Sequence, residues 1–184
     1  MKANYAIKPT PEQALRTNRT MSPARLIAAL DFPMSSVEEL VENSGLLLDL
    51  YGHWPSFHDA EVLEMSLNRG AGAIEQSLTA QIHLFEMTRM VAPDGRFLCR
   101  KHVIATFQFS GVVDVLLKDF NHQNVIEGLS ICLSDEGEEL REGLSVVFEG
   151  CHGVECSFRC MSICLLSVES GIPRGSIYAK GGKI

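Results

Sequence analysis

The sequence lacks any apolar run long enough to cross a membrane, since its unbroken apolar stretches extend over only a few residues. The N-terminal stretch is polar and has no apolar block followed by a small-residue cleavage site, so it does not indicate a secretory signal. Three catalytic patterns are also missing: a serine in a nucleophile elbow, a His-Glu-x-x-His motif and a Gly-x-x-x-x-Gly-Lys phosphate loop. These absences favour a soluble, cytoplasmic protein and give little support to an enzyme.

The six cysteines do not have the spacing of a metal centre. Cys151, Cys156, Cys160 and Cys164 include no Cys-x-x-Cys pair. Side chains four positions apart on a strand stand roughly 13 Å apart, so a single strand cannot bring them to one zinc ion. A chain of this length needs no disulfides to build a core, so we expect reduced thiols that pack as small hydrophobes. The sequence thus predicts neither a metal nor another cofactor.

Acidic and basic residues are unevenly distributed along the chain. Residues 1–30 carry 5 Lys or Arg and 1 Asp or Glu, whereas residues 31–150 carry 7 Lys or Arg and 20 Asp or Glu. Such an acidic region repels a phosphate backbone, which excludes nucleic acid as the expected partner, and it attracts a basic protein at long range. The same acidity also serves solubility, so charge alone does not identify a partner.

The length of 184 residues fits one folded domain. The opening residues are polar and contain Pro9 and Pro11, while the closing stretch is rich in glycine and lysine. We therefore predict a mobile basic extension over residues 1–22, a single globular domain over 23–170 and a flexible tail over 171–184.

An amphipathic helix is predicted from Ser35 to Tyr51, where Ser35 and Glu38 form a capping box and Gly52 ends the helix. Gly45 costs such a helix about 1 kcal/mol relative to alanine, which favours two short helices meeting near residues 43–45 as the alternative. The predicted apolar face consists of Val37, Leu40, Val41, Leu47, Leu48 and Tyr51.

After this helix the apolar period changes to two, which is typical of half-buried strands. Six or seven strands follow in sequence with short turns and without crossover helices, so we expect a mainly β fold: an antiparallel sheet curled into a sandwich or open barrel. Gly111 indicates a bulge or bend within this run. The predicted inward faces are Leu63, Met65, Leu67; Leu78, Ala80, Ile82, Leu84; Val103, Ala105, Phe107, Phe109; Val113, Val115, Leu117; Leu129, Ile131, Leu133; Leu144, Val146, Phe148; and Val154, Cys156, Phe158, Cys160, Cys164.

Histidines within the strands are assigned no role. His83 and His102 occupy strand positions, where an imidazole more often points to solvent or makes a local hydrogen bond than binds a ligand.

Two polar segments are the candidates for function. Residues 52–61 combine aromatic, imidazole and carboxylate groups between the helix and the first long strand, and residues 119–124 add a second histidine. If the two segments meet, His58, Asp59 and His122 are placed for metal binding or acid–base chemistry. In the structural alternative, Trp54 and Phe57 plug the end of the sheet, while Asp59, Asn121 and Asn124 satisfy turns.

These segments, Trp54 to Glu61 and Asp119 to Asn124, together with the strand from Ile82 to Met87, resemble the bacterial immunity protein 50 family over roughly residues 46–168. The Trp-x-x-Phe-His-Asp signature and the Phe-Asn-x-Gln-Asn loop are the more specific parts. The resemblance implies a small cytoplasmic protein that binds and neutralises a toxin made by the same cell or its siblings, without catalysis.

The immunity hypothesis predicts a basic toxin as partner, attracted by the acidic region and held by aromatic anchors near Trp54. One alternative is a metal-dependent enzyme that uses His58, Asp59 and His122. Another is an adaptor or assembly protein that self-associates through an exposed sheet edge. The predicted partner-binding residues are Trp54, Phe57, His58, Asp59, Glu61, Asn121, His122, Gln123 and Asn124.

Overall fold

The computed structural model describes residues 36–71, 75–93, 95–134, 143–176 and 178. Its helices are a one-turn 3-10 helix, Val37–Glu39, and one α-helix, α1, Gly45–Tyr51. Among these residues, neither helix has the length and apolar character needed to cross a membrane. The strands are β1 Val41–Glu42, β2 Ala60–Asn68, β3 Ser77–Val91, β4 Phe97–Ser110, β5 Val113–Lys118, β6 Val125–Leu133, β7 Leu144–His152, β8 Glu155–Cys160 and β9 Ser162–Ser170.

The strands form one mixed sheet in the order β1-β9-β4-β3-β2-β6-β7-β8-β5. Only β1 and β9 pair in parallel within the described part, and all other pairs are antiparallel. The sheet is open, with β1 and β5 at its two ends, so the predicted mainly β fold is confirmed without closure into a barrel. The number of strands is larger than predicted.

The sheet curls so that distant strands share one core. The ring of Phe109 on β4 lies 4.9 Å from that of Phe158 on β8 and 6.2 Å from that of Phe148 on β7, measured between centroids. Four strands separate β4 from β8 in the sheet order, so these contacts require the two halves to face each other. The predicted inward faces of β3, β4 and β7 are buried throughout, which confirms them.

The predicted N-terminal helix is broken, because Asn43 adopts a left-handed backbone with φ 63° and Val41 pairs with Ile163 of β9. The segment is therefore a 3-10 turn, a two-residue strand and α1. Val41, Leu47 and Tyr51 of the predicted apolar face are buried. Ser35 lies outside the described residues, and the capping contact instead runs from the backbone N–H of Ser36 to Glu39 Oε2, at 3.2 Å.

Several predicted inward positions are wrong. Around a shift of register between Val62 and Glu64 of β2, Ala60, Glu61 and Val62 are buried, Leu63 is half-buried and Leu67 is exposed. The predicted inward position of Met65 is confirmed, since its half-buried side chain packs against the core. All residues of β5 are exposed, because this end strand pairs with β8 alone. Leu133 is also exposed, and Cys164 lies on β9 rather than on the strand of Cys156 and Cys160. The exposed end strand is one edge at which the predicted self-association would take place; that association stays a prediction.

The cysteines of the described residues are free and differ in accessibility, which gives a labelling prediction. Burial raises the pKa of Cys156 to about 11 and that of Cys160 to about 12. We therefore expect a maleimide at neutral pH to label the exposed Cys132 and Cys151 first, and Cys156 and Cys160 only after unfolding, because the thiolate is the reactive form. Mass spectrometry of peptides from a time course measures this order; labelling of Cys160 at the rate of Cys132 would contradict the burial of β8.

Candidate functional site

The two polar segments meet where β2 begins to pair with β6. Ala60 lies opposite Ile126, and Glu61 lies opposite Val125. The backbone N–H of Val62 donates to the carbonyl of Asn124 at 2.7 Å. The sequence left open whether the two segments meet, and the structure shows that they do.

Hydrogen bonds of the Asn124 side chain hold the second segment in a turn. This side chain is buried; Oδ1 accepts from the backbone N–H of Asn121 at 2.8 Å, and Nδ2 donates to the Asn121 carbonyl at 2.8 Å. The Asn121 side chain in turn accepts from the N–H of Gln123 at 2.8 Å. These hydrogen bonds satisfy the turn, as the structural alternative predicted for Asn121 and Asn124. The turn leaves His122 exposed and Gln123 half-buried.

Phe57 and Trp54 close one end of the core. Phe57 is buried, and its ring lies 5.7 Å from that of Trp54 and 6.0 Å from that of Phe107. Trp54 is half-buried and packs against the buried cluster. The predicted packing role of both aromatic residues is confirmed.

The backbone around His58 is held in an uncommon conformation. Phe57 has φ 59° and Asp59 has φ 61°, a left-handed region that costs a residue other than glycine roughly 1–2 kcal/mol. The N–H of Asp59 donates to the carbonyl of Ile126 at 3.0 Å, and the N–H of Ala60 donates to that of Phe57 at 3.1 Å. Pairing with β6 and burial of Phe57 thus impose two left-handed residues, one on each side of His58.

His58 itself points outward between two carboxylates. Its Nδ1 lies 3.0 Å from Asp59 Oδ2, and its Nε2 lies 3.2 Å from Glu127 Oε1. About half of the imidazole is exposed, and ion pairs at such sites contribute about 0–1 kcal/mol to stability. The fold therefore gains little stability from this arrangement. The sequence did not predict Glu127 as a site residue, because its contact with His58 depends on the pairing of β2 with β6.

The structure does not assemble the predicted metal or acid–base group. In the described part of the chain, His58 makes no hydrogen bond or ion pair with His122, and no group of three His, Cys, Asp or Glu side chains is placed to hold a metal ion. The enzyme hypothesis gains no support from this geometry. The enzyme hypothesis predicts stoichiometric metal in protein purified without an affinity tag, and a metal analysis tests it.

A buried group of hydrogen-bonded polar side chains lies behind the first segment. Of the two expectations for His83, exposure to solvent or a local hydrogen bond, the structure shows hydrogen bonds. The Nδ1 of His83 lies 2.8 Å from Glu61 Oε2, and its Nε2 lies 3.0 Å from Nδ1 of His102. His83 is fully buried, because Phe85 and Tyr178 cover the face of the sheet opposite the core. Strand alternation could not indicate this cover, since it comes from the far end of the chain.

Burial is the largest cause of the pKa shifts of His102 and Tyr178. Burial, and to a lesser extent His83, lower the pKa of His102, while the Cys99 backbone and Glu61 act in the opposite direction. Burial also raises the pKa of Tyr178, as do the neighbouring Asp59, Cys99 and Glu61. The phenol of Tyr178 and the two imidazoles therefore lie close together, in surroundings that disfavour the charged forms of Tyr178 and His102.

The fold and site define a mainly β protein whose single open sheet joins two polar segments and presents them on one surface. The chain belongs to the immunity protein 50 family, whose model matches residues 43–171. This confirms the resemblance of the two segments. Comparison with curated proteins and with solved structures finds no match.

Proposed function

We propose that this protein protects the cell that makes it by binding and neutralising a cognate toxin, without catalysing a reaction itself. Membership of the immunity protein 50 family supports binding of a toxin. The observation that carries the proposal is the presentation of His58, which is held outward by two left-handed neighbours and makes little contribution to stability. Strained backbone around an exposed side chain is a feature of functional sites.

The proposed contact surface consists of the exposed groups of the two segments. His58, Asn121 and His122 are exposed, as is Glu127 of β6, and the half-buried Asp59 lies beside His58. In this proposal the buried residues of the signature support the surface rather than touch the toxin; they are Phe57, Glu61 and Asn124. Trp54 and Gln123, both half-buried, lie at its margin.

The charge of this surface favours a basic toxin. Asp59 and Glu127 flank His58, and residues 31–150 carry 20 acidic against 7 basic side chains. Complementary charge accelerates association and makes it sensitive to salt. A cytoplasmic location is part of the same proposal, because the toxin must be met inside the producing cell.

The test uses the protein encoded by the neighbouring gene as the probe. We expect its expression to stop bacterial growth, and we expect coexpression of the full-length chain to restore growth and to yield a copurifying complex. His58→Ala and Glu127→Lys should each weaken the complex by about 30-fold, since an interface hot spot is worth about 2 kcal/mol or more. Dissociation constants from calorimetry or surface plasmon resonance measure the effect.

Glu169→Lys provides the matched control. Glu169 is an exposed carboxylate on β9, which is separated from β6 by three strands in the sheet order, so the same change of charge there should leave the affinity unchanged. Equal affinity of all variants would place the interface elsewhere on the protein. Absence of both toxicity and complex formation with the wild-type chain would contradict the immunity function itself.

A further inference from the structure

Strand β5, Val113–Lys118, lies at one end of the sheet. Within the described residues it pairs with β8 on one side and with no strand on the other. Its six residues are all exposed. At the opposite end of the sheet, β1 has only two residues, one of which is buried. The backbone N–H and C=O groups on the outer side of an end strand can pair with a further strand. Of the two ends, β5 therefore offers the longer edge.

Apolar side chains make up most of this edge. Val113, Val115, Leu116 and Leu117 are each between 38% and 50% exposed. Single exposed apolar residues are common on protein surfaces, whereas contiguous apolar surface is typical of a site of association. A shift of register between Val113 and Leu116, where Asp114 has φ 54°, forms a bulge near the start of the strand. Beyond the bulge, the pairing of β5 with β8 is regular.

Asp114, Leu116 and Lys118 lie on one face of β5. Lys118 Nζ lies 3.4 Å from Glu155 Oε1, and Asp114 Oδ2 accepts from Arg159 Nε at 3.0 Å. Glu155 and Arg159 are four positions apart on β8 and therefore share a face. Leu116 lies two positions from Lys118 in the regularly paired part, so it shares this face as well. The side chains of Asp114 and Lys118 are 65% and 49% exposed, which leaves room for a second contact at each.

The order acid, apolar, base on this face is complementary to itself when a second copy of β5 runs antiparallel. With a twofold axis at Leu116, Asp114 of each copy lies opposite Lys118 of the other, and Leu116 lies opposite Leu116. On the other face, Val115 of each copy lies opposite Leu117 of the other. Opposite charges and apolar pairs directly across two strands stabilise their pairing. Shifting the register by one or two positions in either direction places Lys118 opposite an apolar side chain, so the charges favour one register.

We propose that two copies of this chain form a dimer through antiparallel pairing of β5 with β5 about a twofold axis at Leu116. The charges point to a second copy as the occupant, because one strand carries both halves of the complementary pattern, as a twofold interface requires. The proposal assigns an edge and a register to the self-association that the sequence predicts, and it does not depend on the toxin. A contact of one six-residue strand is smaller than the roughly 1,200 Å² of stable interfaces, so we expect the dimer to dissociate on dilution.

Sedimentation of the full-length chain at increasing concentration tests the dimer. We expect a shift from monomer to dimer between about 1 µM and about 1 mM, the range of a weak interface. Lys118→Asp places two carboxylates opposite each other at both ends of the register, and Asp114→Lys places two ammonium groups there. Each variant should weaken the dimer by about tenfold or more, because like charges directly opposite each other destabilise paired strands.

A mixture of the two variants distinguishes this register from a general effect of charge. Lys118→Asp and Asp114→Lys chains are complementary to each other, so an equimolar mixture should form a heterodimer that neither variant matches alone. Arg69→Asp is the matched control: it changes an exposed basic residue beyond the end of β2 by the same charge and should leave the wild-type association unchanged. A wild-type chain that stays monomeric would overturn the proposal and leave the edge to a different partner. An association that both variants leave unaltered, or a mixture no stronger than its components, would overturn it too.

A cross-link at the twofold axis provides a second measurement, which does not need Asp114→Lys to fold. Residues directly opposite in an antiparallel pair have Cα atoms roughly 4.5–5.5 Å apart, a distance that a disulfide spans. Leu116→Cys should therefore form a disulfide between the two copies of residue 116 under mild oxidation, and mass spectrometry of the peptides identifies it. Leu67→Cys, at a 58% exposed position on β2, is the control and should form no such link. Failure of Leu116→Cys to link above the level of Leu67→Cys would overturn the proposed axis.

Discussion

Replacement of Glu61 by leucine is expected to lower the free energy of unfolding by roughly 2–5 kcal/mol, the range for leaving one partner of a buried polar pair without the other. Glu61 Oε2 accepts from His83 Nδ1 at 2.8 Å, and His83 is fully buried. The variant would leave an imidazole N–H facing an apolar side chain. His83→Leu should also be costly, because it removes the Nδ1 donor that lies 2.8 Å from Oε2 of the nearly buried Glu61 carboxylate.

The double variant Glu61→Leu with His83→Leu gives this prediction its control. Exchange of both partners for apolar groups removes the desolvation penalty of each, so the double variant should cost less than the sum of the single variants, by about 1 kcal/mol or more. Urea unfolding followed by circular dichroism supplies the three differences. Strict additivity, or a cost below about 1 kcal/mol for both single variants, would show that the pair does not stabilise the fold in this way.

Gly153→Ala is the second substitution for which we expect a large effect, about 3 kcal/mol or more of destabilisation. Gly153 has φ 85°, and a methyl group there would lie 2.5 Å from the Gln123 carbonyl oxygen and 2.8 Å from Asn124 Oδ1. Left-handed backbone costs alanine roughly 1–2 kcal/mol, and overpacking against groups that cannot move adds roughly 1–3 kcal/mol. The turn between β7 and β8 can therefore pack closely against the turn at residues 121–124 only because residue 153 has no side chain.

Gly95→Ala separates the cost of the left-handed backbone from the cost of overpacking. Gly95 has almost the same φ, 86°, but nothing lies within 4 Å of the methyl group that the substitution adds. We expect it to cost about 1–2 kcal/mol, the contribution of the backbone alone. Thermal or urea unfolding of both variants measures the difference. Equal costs would mean that the turn at residues 121–124 adapts to the methyl group and that close packing does not hold it.

The strands β3 and β4 were the most predictable part of the fold. The apolar alternation of β3 and β4 places Leu78 to Leu84 and Val103 to Phe109 inward, and the structure buries those faces. The same alternation in β5 predicts burial of Val113, Val115 and Leu117, yet β5 is exposed at the end of the sheet. Alternation indicates which face a strand could bury, but the neighbours decide whether it does.

The sequence predicted several residues of the candidate site but not how these residues are arranged in space. Phe57, Asn121 and Asn124 have the packing and turn roles that their residue types indicated. The pairing of His58 with Glu127 could not be inferred, since the two lie on different segments that meet only through the β2–β6 pair. His83 was missed because its cover, Tyr178, is remote in sequence.

The sequence by itself determined a mainly β chain with an acidic central region, the inward faces of β3, β4 and β7, and the signature segments that identify its family. These are local properties, because period-two alternation and turn chemistry act between residues close along the chain. Tertiary structure alone decided that β2 lies beside β6, that the sheet curls onto itself and that Tyr178 covers a buried imidazole pair. Those contacts join residues far apart in sequence, and they form only when the hydrophobic burial of the whole sheet offsets the entropy of closing long loops.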